Sequence, residues 1–447
     1  MPIVTELPMI NSQTQIRPNP VDSQPAAGLD SAVLKQLCLD AGADDVGFVS
    51  MSRPEMEKER TDILEAFPRT KTLISFVVKM NREPIRSPAR SIANLEFHHT
   101  GERTNDVARH IVKDLESQGI RALNPAVGFP MEMDKFPGKA WVVSHKTVAV
   151  AAGLGQMGIH RNIIHPKFGN FILLGTVLMD AEVTKTDKPI NYNPCLECKL
   201  CVAACPVGAI GQDGYFNFSA CYSHNYREFM GGFTDWVENV ADSNNAKDYR
   251  SKFTDAESSS MWQSLSFGAN YKAAYCLAVC PAGEDVMSPF KANRKEFVAD
   301  IVKPLQAKKE WVYVVPGTDA ETYVAKRFPH KPIKYVGNSL RPGTIQGFLE
   351  GLPLIFQRDK SKGLDAMYHF TFTGKESRRV TVVIQNKNLV IRDGHEGEPH
   401  VRVTADGETW VGFLRKDRNL VWAILRGRIR VKGSLKLFQV FAKCFPV

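Results

Sequence analysis

The stretch Cys195-Leu196-Glu197-Cys198-Lys199-Leu200-Cys201-Val202-Ala203-Ala204-Cys205-Pro206 constrains this chain more than any other. Its C-x2-C-x2-C-x3-C-P spacing is that of a run that holds [4Fe–4S] clusters. Three thiolates of such a run ligate one cluster, and the fourth reaches across to a second. A tight turn lets three successive sulfurs face the same cubane. Cys205 is expected to start a helical turn pointing the other way, with Pro206 fixing φ and leaving no N–H unpaired. Cys276-Leu277-Ala278-Val279-Cys280-Pro281 repeats the C-x3-C-P ending. A structural zinc site favours separate C-x2-C pairs. A disulfide framework belongs to short secreted chains, whereas this one has 447 residues and nine cysteines.

By the pairing such runs use, Cys195, Cys198, Cys201 and Cys280 hold one cluster. The other takes Cys205 and Cys276, with Cys221 as the further candidate. A complete second motif would carry a cysteine where Ala273 stands. The second site therefore shows three cysteines. It holds either a three-iron cluster or a four-iron one with a non-cysteine ligand such as His224. Cys38 repeats with Leu34, Leu37 and Ala41 at helical spacing and is expected in a core.

Composition adds bounds. Hydrophobic residues make up 43% of the chain, enough for two or three domains with real cores. The formal net charge of +9 permits an acidic partner or a membrane surface without demonstrating either. No apolar run is long enough to span a bilayer. The polar, proline-bearing stretch 1–28 reads as a flexible leader rather than a signal peptide, so a cytoplasmic location is expected, where cysteines serve as thiolates.

Residues 29–190 read as an α/β domain. Asp30 or Ser31 caps a helix that Gly42 ends. Val46–Val49 and Leu73–Val78 read as strands, the second suited to a sheet buried on both faces. An amphipathic helix is expected over Thr104–Gln118, then strands at Trp141–Val143 and Ile172–Met179. Residues 191–300 form the two-cluster module, with a polar excursion between Cys221 and Cys276. Residues 301–339 read as a linker. From 340 to 447 the texture is α+β. A helix covers Ile345–Phe356, and strands follow at His369–Thr373, Val380–Ile384 and Leu389–Ile391. A helix begins at Thr409–Leu414, and strict alternation places Arg428, Arg430 and Lys432 on one exposed face. Leu435, Phe438, Phe441 and Phe445 stripe a last helix.

Gly153-Leu154-Gly155-Gln156-Met157-Gly158 matches a dinucleotide fingerprint, but it follows a helix where that fingerprint follows a strand. A different resemblance fits the order of segments. AAGLGQMG, HPKFGNFILLGTVLMD, CLECKLCVAACPVGAI, Cys221 and CLAVCP together resemble the epoxyqueuosine reductase and reductive dehalogenase superfamily across roughly residues 30–290. That resemblance implies a corrinoid (cobalamin) bound by the α/β domain beside a ferredoxin-like module of two clusters. It implies that Gly153, Leu154, Gly155 and Gly158 lie against the corrin or its tail, with His165 helping to build the pocket. Epoxyqueuosine reductases place a proton-donating aspartate shortly before the glycine helix. Here the segment reads Val143-Ser144-His145-Lys146, so His145 and Lys146 are the candidate proton donors.

The C-terminal segments GTIQGFLEGLPLIFQ, MYHFTFTG, PHVRVTADGETWVGFL and LRGRIRVKGSLKLFQ resemble the sterol carrier protein domain over about residues 340–447. This implies an apolar tunnel for a sterol- or lipid-like ligand, although a packed core also accounts for Leu349, Leu352, Ile355 and Phe356. The combined expectation is an oxidoreductase. An external donor such as ferredoxin or flavodoxin supplies single electrons, two clusters relay them, and a corrinoid and a hydrophobic substrate accept them. DNA is not an expected partner. The alternative is a corrinoid-free electron-transfer protein with a lipid-binding or docking tail. Deleting residues beyond about 335 is expected to leave the clusters intact while weakening activity.

Overall fold

The computed structural model describes residues 28–446 apart from 137, 194, 196 and 197, so the expected leader falls almost wholly outside the described residues. A four-stranded sheet carries the first unit, in the order Asp45–Ser50, Thr72–Lys79, Ile172–Met179, Ala122–Leu123. Strand–helix alternation usually yields parallel pairing, but all three pairings here are antiparallel. The continuous apolar run of the second strand feeds two cores. Leu73 and Val77 pack with Val148, Ala149 and Ala152 on one face. Ile74, Phe76 and Val78 pack with Leu34, Cys38, Val107 and Ile111 on the other. Gly175 stands in register with Phe76, and a Cβ there would fall inside the Phe76 ring.

Helix Ser31–Asp40 begins as expected, with the Asp30 carboxylate accepting from Ala32 N–H at 2.8 Å. Gly42, at φ +107°, carries the chain out of it. The amphipathic helix is far longer than its apolar stripe indicated and spans Arg90–Ser117. Trp141–Val143 is irregular rather than a strand and leads into the helix His145–Ala151.

In the cluster module, two short helices, Leu200–Ala204 and Tyr275–Ala278, start from left-handed residues, Lys199 at φ 51° and Ala274 at φ 53°. A non-glycine residue in that region is disfavoured by about 1–2 kcal/mol, so the surrounding structure must impose it. Cys205 closes the first helix in extended conformation and does not start one, which corrects the expectation. The polar excursion is helical, with Phe218–Asn225, Gly231–Ala241, Ala246–Lys252 and Asp255–Phe267, the last opened by a Thr254–Glu257 capping box. The expected linker contributes two parallel strands, Val312–Val314 and Ile333–Tyr335, with helix Asp319–Arg327 between them. Val312, Val314 and Val324 share one core with Cys201 and Cys205.

The C-terminal unit is a five-stranded sheet in the order Asn388–Asp393, Arg378–Gln385, Ala366–Thr373, Val401–Asp406, Ile429–Gly433. Only the pair Ala366–Thr373 with Val401–Asp406 is parallel. Helices Ile345–Ile355, Gly407–Leu414 and Leu435–Cys444 accompany it. Its interior is filled by aromatic contacts. Phe348 and Phe370 meet Trp410 at 5.5 and 5.7 Å, and Tyr368 meets Phe441 at 4.8 Å. Much of the apolar surface from the two terminal helices is therefore consumed by packing.

Candidate functional site

The two left-handed entries set the cysteines out symmetrically. From Lys199 the chain places Cys201 two residues on and Cys205 six on; from Ala274 it places Cys276 and Cys280 at the same offsets. The symmetry extends backwards as well. Cys198 corresponds to Ala273, which is buried at 5% exposure with its N–H donating to Asn225 Oδ1 at 2.9 Å.

Cys195, Cys198, Cys201 and Cys280 line one cavity, together with Ile159, His160, Ile164, Lys199 and Pro281. Burial, followed by the nearby Cys276, Cys198, Cys280 and Cys195, drives the Cys201 thiol far above its ordinary range. Burial pushes Cys280 up to about 12. Without a cationic partner these sulfurs stay protonated. Iron, which binds thiolates, supplies that partner. Ile159 N–H points at Cys195 Sγ at 3.3 Å, and Ala209 N–H at Cys205 Sγ at 3.3 Å, the donors that iron-bound sulfur accepts. Among the described residues no three His, Cys, Asp or Glu side chains close around a single ion. The donor set and its spacing fit a cluster.

The second set is distinct but adjoins the first. Burial, then Cys205 and Cys276, raises Cys221 well above the ordinary thiol value. Burial, then Cys205, pushes Cys276 up to about 12. His224, the candidate fourth ligand, accepts from Tyr313 N–H at 3.3 Å through Nδ1. Its ring packs toward Tyr313, while Nε2 is buried without a described partner.

Cys221 and Cys276 are half-buried. Lys146, an exposed residue, lies near both. Its ammonium donates to Arg161 O at 2.6 Å. Aromatic residues cluster beside Cys221. Tyr226, raised by burial with Tyr271 and Cys221 nearby, packs against Tyr222, Phe229 and Tyr271. Phe129 reaches Phe229, and Phe136 reaches Tyr222, from the segment before the helix His145–Ala151.

The remaining predicted residues have partners within the chain. His145 is held at both ring nitrogens, Nδ1 to Thr176 Oγ1 at 2.8 Å and Nε2 to Ala126 O at 3.0 Å. A Cβ on Gly153 would meet Lys188 O at 2.6 Å, on Gly155 Ile164 O at 2.5 Å, and on Gly158 the His160 ring at 2.7 Å. Leu154 is buried among the helix and sheet. His165 bonds Asp45 Oδ2 at 3.1 Å through Nε2 and accepts from Lys167 N–H through Nδ1. These five residues thus pack within the chain at the glycine turns and the His165–Gly169 turn. The Gly169 Cα faces Ala282 O so closely that no Cβ would fit, which seats the His165–Gly169 turn on the Cys280 loop.

Sequence reasoning missed four residues. His160 lines the first cavity with Nε2 buried and unpartnered, and its only signal was its place between the glycines and His165. Tyr226 and Tyr271 meet only in three dimensions. Glu59 supplies the carboxylate the segment before Lys146 lacks, but it accepts from Lys139 Nζ at 2.8 Å and Ser144 N–H at 3.1 Å and so anchors the helix start.

Residues 188–211 match the 4Fe-4S binding domain, and residues 355–446 match the SCP-2 sterol transfer family. The epoxyqueuosine reductase of Gloeobacter violaceus is 25% identical over 179 residues, covering 40% of this chain and 53% of that protein. That of Cellulophaga algicola is 32% identical over 118 residues, covering 24% and 38%. The chain thus spans about half or less of these relatives' length. Among solved structures, epoxyqueuosine reductase from Streptococcus thermophilus aligns at TM-score 0.35 and 17% identity, over 62% of this chain and 78% of that one. A reductive dehalogenase, described with a mechanism for B12-dependent dehalogenation, aligns at TM-score 0.39 and 15% identity, over 65% and 37%. The chain is therefore similar to the epoxyqueuosine reductases through its redox half, and joins that half to a C-terminal SCP-2 sterol transfer family domain.

Proposed function

We propose that this chain is a cytoplasmic iron–sulfur reductase. A small redox protein of the ferredoxin or flavodoxin kind supplies single electrons to the cluster of Cys195, Cys198, Cys201 and Cys280. The cluster of Cys205, Cys221 and Cys276 passes them on to a corrinoid and a hydrophobic substrate beside Lys146. One observation carries this reading: Cys221 and Cys276 lie close enough to act on the charge of Lys146 and on Tyr226, which packs on Tyr271, whereas the first set lines its own cavity. The relatives' name supports reductase chemistry. The corrinoid rests on the order of the glycine, HPKFGNF and cysteine segments.

Lys146, Tyr226 and Tyr271, beside Cys221 and Cys276, are the residues that would meet a corrinoid, and a bound corrinoid would supply reductive chemistry at cobalt. Lys146 is exposed and carries its protons at Nζ, which donates to Arg161 O. His145 positions the helix that presents it. With His145 and Lys146 standing where the resemblance expects an aspartate, the tRNA reaction of the relatives is not part of this reading.

Anaerobic purification from cobalamin-supplied cells, with metals counted per chain, tests it. Cobalt near one equivalent beside roughly seven or eight irons is expected. Iron without cobalt, even after incubation with cobalamin, would remove the corrinoid and leave an electron-transfer protein.

The second cluster is assigned three cysteines, with the symmetry-related fourth position occupied by Ala273. Ala273→Cys is expected to raise iron by about one per chain and remove the three-iron signal seen by electron paramagnetic resonance. His224→Ala is expected to leave both unchanged. A fall in iron in that variant would make His224 the fourth ligand.

A further inference from the structure

The helix Leu420–Leu425 is apolar but not buried. Val421, Trp422 and Leu425 are 63%, 61% and 71% exposed, and Ile424 is exposed too. Among its described side chains, only Ala423 turns into the core of the C-terminal unit. Such a cluster on a surface marks an interaction site rather than packing left unfinished.

Its surroundings say what covers it. Residues 415–436 hold five arginines and three lysines against a single aspartate, so this short stretch carries most of the chain's net charge of +9. Arg415, Lys416 and Arg418 precede the helix, and Arg426 and Arg428 follow it. Arg430 and Lys432 line the edge strand Ile429–Gly433, which pairs on one side only, and Lys436 lies just beyond. All eight are exposed, and none forms an ion pair with a described carboxylate. The Arg426 guanidinium sits 5.7 Å from the Trp422 ring, so the aromatic and the charge share one patch.

We infer that this patch docks the protein on an anionic lipid surface. Trp422 and Leu425 enter the headgroup boundary while the basic collar meets lipid phosphates. A tryptophan with short aliphatic neighbours is suited to that depth, and uncompensated arginines gain most where the facing charge is negative. A protein partner would satisfy the apolar helix but leaves seven excess charges without a complement. An apolar ligand handed between membrane and protein would then reach the domain that matches the SCP-2 family from the side facing the lipid.

Flotation of the full-length, cluster-loaded protein with phosphatidylcholine vesicles, with and without phosphatidylglycerol, tests this. Binding is expected only to the anionic vesicles, and it should weaken as salt rises. Trp422→Ser with Leu425→Ser should reduce the partition coefficient at least tenfold. Arg428→Gln and Lys432→Gln should each reduce it roughly fivefold. Unchanged iron content certifies that each variant is folded. No binding to anionic vesicles at low salt would overturn the proposal. So would equal binding to neutral ones, or a Trp422-dependent dimer that forms without lipid.

Discussion

Cys198→Ala is expected to halve the iron of the protein and leave the other half in place. Cys198 shares its cavity with Cys195, Cys201 and Cys280, and Lys199 is forced into the left-handed region beside it. Losing one of four thiolates leaves three buried thiols whose burial favours the protonated, non-ligating form. About four irons should be lost, together with the matching share of the visible charge-transfer absorption. Electron delivery from the external donor should fall to background, because the entry cluster is gone. The three cysteines of the second site remain, so its signal should persist. Cys38→Ala is the control. Cys38 is fully buried between the first helix and the sheet, with its thiol pushed up to about 12 by burial, and it should retain all its iron. Full iron in Cys198→Ala, or equal loss in Cys38→Ala, would mean the ligands are assigned wrongly.

The cysteines were legible because an inorganic cube imposes its own spacing on the chain that wraps it. The strand Leu73–Val78 was legible because burial on both faces leaves a continuous apolar run. Its pairing direction was not, since parallel and antiparallel strands sandwiched between helices read alike. The helix Arg90–Ser117 was seen only from Thr104. Its first half carries His98, His99 and Gly101, which look like a loop until His98 is found bonded to Ala269 O at 2.8 Å. The glycines of Gly153–Gly158 were legible as points of close backbone approach, and the chain itself comes near them, at Lys188 O and Ile164 O. Tyr226 and Tyr271 are separated by 45 positions that only folding closes, and no local period announces them. The helix Leu420–Leu425 is not legible as a surface feature, because an apolar run by itself does not distinguish a buried face from an exposed one, and Val421, Trp422, Ile424 and Leu425 are exposed.

Removing residues 340–447 is expected to cost the second cluster before the first, contrary to the intact clusters that the sequence led one to expect. The prolines around residues 304–332 made the C-terminal unit look detachable. In the structure it sits on the helix that supplies Cys221. Tyr222, 3% exposed, belongs to the same core as Leu349, Leu352 and Phe441, and Phe218 packs against that core. Gln357 is fully buried at the junction, donating to Ser219 Oγ at 3.1 Å and Cys444 O at 2.8 Å and accepting from Asp319 N–H at 2.9 Å. Arg358 pairs with Asp213, and Arg341 with Glu238. Truncation strips one face of helix Phe218–Asn225. Exposing Tyr222 alone forfeits about 2 kcal/mol, and Ser219 and Asp319 lose buried partners at about 1–3 kcal/mol each. That is enough to loosen a helix of eight residues and the thiol it carries. Iron per chain should drop to about four, with the first cluster's spectrum preserved. Gln357→Ala, which leaves the C-terminal unit attached, should speed loss of the second cluster on exposure to a chelator while sparing the first. If both proteins hold both clusters as long as the intact chain does, the SCP-2 domain is a passenger on the redox half. If they do not, its docking is part of what makes the second cluster stable, and a ligand that shifts the domain would reach the electron path through Cys221.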